Sequence, residues 1–472
     1  MTDTAAPEIE SAAPASPGAG SPDAVVPDPA SPDSPYRARR ERFLEAIGDG
    51  VAVICSAPEL IKSRHTEINY RQNSELFYLT GFPEPAVAVF TPHDPEHRFT
   101  LFVRPRDPER ETWTGGRAGV EGARERYGAD AAYLLEELDS DTLRERLWPA
   151  DRIWYSLGSD DAMDRRLIGW IRQWRQASGR SGKASTDVLD PAKVIDAMRL
   201  VKEPAEVELI RRACRLSSEG HLRAIRAARP GIGEWELEAL VDGTFRAGGP
   251  RCGTAFPTIV GSGPNATVLH YVTNDRRTED GDLVLLDAGA HHELYCGDIT
   301  RTFPVNGRFT PAQRRVYELV LRSEETAIAM VRPGVTIREI HEATRDVLVR
   351  GMVELGLLQG DPAELVEGEE YKRFFMHQTS HWLGLDVHDA GAYRDHGEDG
   401  AWHPLRPGMV FTIEPGLYIR ADAEGVPDEL RGIAVRIEDD VLVTEDGCEV
   451  LTRDVPVDPD EIERLVGADA RD

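Results

Sequence analysis

The chain has 472 residues, 40% of them hydrophobic, and a formal net charge of -28. That length accommodates two domains with separate cores. The acidity disfavours nucleic acid or an anionic membrane as a partner, because both repel a negative surface. Cys55, Cys214, Cys252, Cys296 and Cys448 lie far apart with no CxxC pair, which fits free thiols in a reducing, cytoplasmic compartment. No apolar run is long enough to span a bilayer, and no basic residue precedes Arg37, so neither a membrane segment nor a secretory signal is expected.

Residues 1–35 form a Pro/Ala/Ser-rich tail, expected to be disordered because it cannot bury enough surface to offset its ordering entropy. From 36 to 191, the apolar runs VAVIC (51–55), AVAVF (86–90), FTLFV (99–103) and RIWYS (152–156) alternate with polar, helix-like stretches. This predicts an α/β domain with a central, mostly parallel sheet. VIDAMRLVKEPAEVELIRRAC then leads into a long helix, with Pro204 in its first turn and Pro230-Gly231 at its end. A second domain is expected over 192–457, followed by a C-terminal tail over 458–472.

The second domain carries an internal repeat. RPGIGEWEL (229–237) matches RPGVTIREI (332–340), and GDLVLLDAG (281–289) matches GMVFTIEPG (408–416). Thr336 and Glu339 suit a capping box for the helix after the second Pro-Gly. Asp287 and Glu414 fall at equivalent positions, so a duplicated half-domain would deliver one carboxylate from each side to a central site.

Further acids lie beside apolar runs or glycines: Asp298 in YCGDITRTF and Glu438 in RIEDDV. Singly, Asp287 and Asp298 read as turn residues, Glu414 as a solvated strand end, and Arg436 with Glu438 as a pair on a half-exposed strand. His377, His381 and His388 cluster in MHQTSHWLGLDVHDAG, and His270 precedes the first acidic strand much as His388 precedes the second. HQTSH is not HExxH, so a zincin reading fails. Four buried carboxylates with a histidine call for divalent cations, and their number suits two ions. The donor types favour Mn²⁺, with Co²⁺ or Zn²⁺ as substitutes. A water shared by two ions would ionise near neutral pH, which suits amide hydrolysis.

In that order, LLDAG, CGDITRTF, HQTSHWLGLDVHDAG, FTIEPGLY and RIEDD resemble the motifs of the pita-bread metallopeptidases, and within them aminopeptidase P. YRQNSELFYLTGFPEP (70–85) and RETWTGGRAGVEGA (110–123) extend the resemblance to the N-terminal part. It implies an α/β N-terminal domain, an α+β pita-bread domain of two pseudo-symmetric halves, and two divalent ions, usually manganese. It implies Asp287, Asp298, His381, Glu414 and Glu438 as metal ligands. Glu414 would also handle a proton. His270, His377, His388 and Arg436 would complete the catalytic set, with His270, His388 and Tyr418 against the substrate.

The activity implied is release of the first residue from peptides with proline second, through attack by hydroxide held between the ions. The Xaa-Pro bond is a tertiary amide of fixed φ that general peptidases fit badly. A homodimer or homotetramer is implied as well. The rivals are a prolidase cutting Xaa-Pro dipeptides, the metal-free creatinases of the same fold, and a non-catalytic binding module.

Overall fold

The apolar runs of the N-terminal part become strands whose side chains alternate between two buried faces. The computed structural model describes residues 28–139, 141–147, 150, 152–178, 187–395 and 400–470. Residues 1–27 of the expected tail lie outside the described residues. The first helix, Pro35–Ile47, already buries Tyr36, Phe43 and Leu44.

A six-stranded sheet runs in the order Ala131–Leu134, Phe99–Val103, Ala86–Phe90, Gly50–Cys55, Arg152–Trp154, Asp187–Leu189. Val51, Val53, Val87, Val89 and Phe102 pack on one face against Leu143, Leu167 and Trp174. Ala52, Ile54, Ala88, Phe90 and Leu101 share the other with Leu209, Ile210, Cys214, Leu383 and Leu385 of the C-terminal part. Burial on both faces explains why the runs are continuously apolar. The sheet is mixed rather than mostly parallel. Ala86–Phe90 is antiparallel to both its neighbours, while the outer pairs are parallel. Residues 91–98 alone join Ala86–Phe90 to Phe99–Val103. That is shorter than the crossover of about a dozen residues that a parallel pair needs.

The long helix forms as Pro204–Ala227, with Pro204 in its first turn as expected, and a separate shorter helix, Ala192–Leu200, precedes it. Glu203 is held extended by the proline that follows it, which breaks the run. Pro204 then starts the second helix, and Glu203 with Glu206 caps it.

The internal repeat is structural. Helices Pro204–Ala227 and Glu234–Ala247 correspond to Pro311–Met330 and Ile337–Glu354. Gly231 and Gly334 take φ of 85° and 92°, and Gly281 and Gly408 take 91° and 89°. Isolated bridges Gly233–Arg277 and Thr336–Pro404 fall at matching places in the two copies. The Thr336–Glu339 capping box forms as expected. Each half supplies a three-stranded antiparallel sheet. One is Ile259–Ser262, Leu283–Ala288 and Ile299–Pro304, and the other is Val410–Ile413, Asp439–Val443 and Cys448–Val450. They meet where Glu438 N–H donates to Thr300 O at 3.1 Å. The segment expected as a C-terminal tail carries helix Pro459–Leu465, whose Ile462 is buried in the core with Val466.

The backbone just after the Asp287 strand touches the backbone just before Asp298. A Cβ on Gly289 would sit 1.8 Å from the Gly297 carbonyl oxygen. G289A is therefore expected to lower stability by about 3 kcal/mol through overpacking. A urea midpoint equal to that of the parent would show that the two segments tolerate separation.

Candidate metal centre

Register sets the acids. Asp287 lies opposite Thr300 across the pair Leu283–Ala288 and Ile299–Pro304, and Asp298 immediately precedes the second of those strands. Glu438 joins Ala434–Arg436 to Asp439–Val443. Glu414 follows Val410–Ile413, and its N–H donates to Thr379 O at 2.8 Å. Thr412 N–H donates to His381 O at 2.9 Å, which carries the histidine to the same end of the second sheet.

Four of the five expected ligands converge directly. His381 Nε2 lies 3.5 Å from Asp298 Oδ2, 3.7 Å from Glu414 Oε1 and 4.0 Å from Glu438 Oε1. Asp298, His381 and Glu438 each place a ligand atom within 4.8 Å of the others, the one such group among the described residues. His381 Nδ1 lies 3.1 Å from Trp382 O and donates there, so Nε2 is the ring nitrogen turned to the acids.

Asp287 joins through Arg436, whose Nη2 donates to its Oδ2 at 2.5 Å. Arg436 also donates from Nε to Thr300 Oγ1 at 3.1 Å and from Nη1 to Tyr418 OH at 2.8 Å. Thr300 Oγ1 in turn donates to Glu438 Oε2 at 2.7 Å. The strand holding Arg436 and Glu438 is thus not half exposed, since both residues are buried, and Arg436 pairs with Asp287. Asp287 is buried within strand Leu283–Ala288 rather than in a turn, while Asp298 is buried in the two-residue connection between Tyr295–Cys296 and Ile299–Pro304.

The Oδ1 atoms of Asp287 and Asp298 have no hydrogen-bond partner. A buried carboxylate oxygen left so is costly unless a cation meets it. Four carboxylates and one imidazole, with Arg436 as the guanidinium among them, fit hard or borderline divalent ions.

Burial, reinforced by the neighbouring acids, pushes Asp298 and Glu438 well above the usual carboxylate range. Burial lifts Glu414 to about 7 against the opposing pull of His381 and Arg436. His377 is driven down to about 3 by burial, with Arg436 adding to the effect. Its Nδ1 lies 2.7 Å from Gln378 O, and its Nε2 lies 3.0 Å from Tyr418 OH. The ring is therefore neutral, donating to the carbonyl and accepting from the phenol. His388 is also lowered, by burial and then by His381, whose ring centroid is 4.2 Å away. His270 and His388 line a cavity of about 970 Å³ that opens over the acids.

Residues 208–445 match metallopeptidase family M24, and residues 36–154 match the aminopeptidase P N-terminal domain. The chain belongs to metallopeptidase family M24. It is 43% identical to a Xaa-Pro aminopeptidase of Escherichia coli, over 92% of this chain and 97% of that protein. It is 34% identical to Xaa-Pro aminopeptidase 3 of Homo sapiens, over 91% of this chain and 85% of that one. Among solved structures, the Pseudomonas aeruginosa aminopeptidase PepP aligns with a TM-score of 0.88 and 45% identity, covering 93% of this chain and 98% of that one. The M24 fold here is an α/β N-terminal part followed by a pita-bread part of two related halves.

Sequence reasoning passed over three residues of this M24 site. Thr300 links Arg436 to Glu438, and Asp440 Oδ2 accepts from Asp298 N–H at 2.8 Å. Thr300 stands two residues from Asp298, and Asp440 two from Glu438, so strand alternation could have found both. His341 is on the cavity wall, its Nδ1 2.8 Å from Thr379 Oγ1. It comes from helix Ile337–Glu354 and had no signal in the sequence.

The raised acids bind protons more readily in the folded than in the unfolded chain. In metal-free protein the Glu414 contribution is complete below about pH 4.5 and is lost as pH rises through about 7, and Asp298 and Glu438 act in the same direction. Thermal melts in chelator should show Tm falling across that window, and added Mn²⁺ should raise Tm most at its alkaline end. A metal-free Tm that climbs with pH there would contradict the buried acid cluster. D298A should lower bound metal and cut turnover by at least about 100-fold, read by metal analysis beside a rate assay. Retention of both would remove Asp298 from the ligand set.

Proposed function

We infer that this chain is a metal-dependent Xaa-Pro aminopeptidase, a hydrolase that releases the first residue of peptides with proline second. The observation that carries the reading is the convergence of Asp298, Glu414, Glu438 and His381 under one cavity, in a chain 43% identical to a Xaa-Pro aminopeptidase over 92% of its length. The substrate is a peptide, and the cofactor is divalent metal, for which we favour two Mn²⁺ ions.

Asp287, Asp298, His381, Glu414 and Glu438 would hold those ions. When bound, they would supply an ionised water near neutral pH and positive charge for the developing oxyanion. The protein's own groups do the rest. Glu414, whose Oε1 lies 3.7 Å from His381 Nε2 at the floor of the cavity, is placed to take a proton and return it to the leaving proline nitrogen. Arg436 offsets part of the acid charge at Asp287 and orients Tyr418. Tyr418 is buried behind the cavity wall, where its OH accepts from Arg436 Nη1 and donates to His377 Nε2, so it braces those two groups rather than meeting the substrate. His270 and His388 face the open cavity, where a hydrogen bond to the scissile carbonyl is in reach. Phe256, Ile259 and Tyr371 give the same cavity apolar walls for the residues around the cut.

All five cysteines are free thiols, which supports the cytoplasm as the compartment. We also propose that the enzyme works as a homodimer or homotetramer. Nothing in its charge favours nucleic acid, and no described helix is long and apolar enough to cross a membrane.

Purified enzyme should release the first residue of a Xaa-Pro-Yaa tripeptide with Mn²⁺ and lose that activity in chelator. Faster cleavage of the matching Xaa-Pro dipeptide would make it a prolidase instead. Metal bound without activity on either peptide would overturn the substrate class and leave the metal site standing.

A further inference from the structure

The loop that carries His388 has no regular secondary structure of its own. Backbone bonds from Leu383 N–H to Val410 O and from Cys296 N–H to Gly384 O anchor its start, and side chains from elsewhere in the chain hold the stretch around His388. Asp386 and Asp389 flank His388, and together they meet four polar side chains. Arg71 Nη2 donates to Leu385 O at 2.7 Å and to Asp386 Oδ1 at 2.8 Å. Ser74 Oγ donates to the same Oδ1 at 2.8 Å. Arg199 Nη2 spans Asp386 Oδ2 at 2.7 Å and Asp389 Oδ1 at 2.5 Å, and Lys202 Nζ reaches Asp389 Oδ2 at 3.0 Å. Burial alone would raise Asp389, but Lys202 and Arg199 hold it below the usual carboxylate range.

The four side chains come from two places. Arg199 and Lys202 are buried in the segment leading into helix Pro204–Ala227. Arg71 and Ser74 belong to the part that matches the aminopeptidase P N-terminal domain. Arg71 also bonds Ser74 Oγ at 3.2 Å, so the two act as one unit. It is the only one of the four to grip both a backbone carbonyl and a carboxylate of the loop. Arg199 pulls on the far oxygen of Asp386, so without Arg71 that carboxylate has nothing but Ser74 to oppose the pull.

We propose that Arg71 is a positioning residue for the peptidase reaction, setting His388 over the metal centre by fixing the Leu385–Asp386 turn of its loop. The proposal rests on reading His388 as a group that touches substrate. It gives the N-terminal part a share in catalysis without a contact to the substrate. The side chain of Arg71 is 47% exposed, so shortening it leaves no buried void.

The test uses the full-length enzyme and R71Q, R71K, H388A and the R71Q/H388A double variant. R71Q should lower kcat on a Xaa-Pro-Yaa peptide by roughly 10- to 100-fold, with bound metal unchanged. R71K should recover part of that loss. In the H388A background, R71Q should add no further loss, because its effect passes through that ring. In metal-free protein, R71Q should speed amide hydrogen exchange at 385–389 and leave the strands of the site as they were. Wild-type kcat in R71Q would overturn the proposal, and so would an equal loss with and without His388. If R71Q does not fold, S74A removes one bond to the same oxygen and carries the same comparison. An inactive wild-type enzyme would sink the peptidase reading, and loop exchange would then decide the positioning role by itself.

Discussion

The Arg436 guanidinium sits where the two halves of the pita-bread part meet. It is buried between Asp287 from the first half and Tyr418 from the second, and it bonds Thr300 on the way. Breaking such a pair from one side would leave an uncompensated charge in the interior, at a cost of about 3–5 kcal/mol. The surrounding fold is arranged to keep that from happening. Arg301, also fully buried, lies just behind the site. It donates to Glu438 O, Thr300 O, Val455 O and Asp439 Oδ1, which stiffens the crossing of the two sheets. Asp440 accepts from both Asp298 N–H and Cys214 Sγ and so ties the site to helix Pro204–Ala227. The acids are placed by backbone register and held by buried polar partners, so the site keeps its shape with its carboxylates close together.

Much of this was legible in the sequence because duplication repeats its own signals. The paired Pro-Gly turns and the paired Gly-strand-acid segments marked both halves, and the matching bridges of Gly233 and Thr336 bear that out. The convergence of Asp298, Glu414 and Glu438 on His381 was legible only from the ordered motifs taken together and their resemblance to the pita-bread metallopeptidases, because singly the acids read as turn and strand-end residues. What stayed hidden was set by tertiary contact. Nothing local says that Arg436 prefers Asp287 over its strand neighbour Glu438, because that choice depends on how two sheets cross. His341 reaches the cavity from a helix whose pattern reads as ordinary amphipathic surface. The mixed direction of the N-terminal sheet was missed because apolar runs announce strands, whereas the length of the connection sets their direction.

The electrostatics of the site divide its histidines into separate kinds. His381 has one nitrogen committed to a carbonyl and the other turned to the acids. His377 has both nitrogens in use and is held neutral by burial beside Arg436. His270 and His388 face open space in the cavity. One residue type thus supplies a ligand donor, a fixed bridge to Tyr418 and two adaptable cavity groups, according to what each ring nitrogen already holds.

The acids come from both copies of the repeat: Asp287 and Asp298 from the first, Glu414 and Glu438 from the second. Ions held among them would act as rivets through the seam between the copies. Any hinge-like breathing of the halves would then stretch the coordination shell directly, with no intervening lever. Rigidity across the seam and geometry at the reacting centre are therefore one mechanical property.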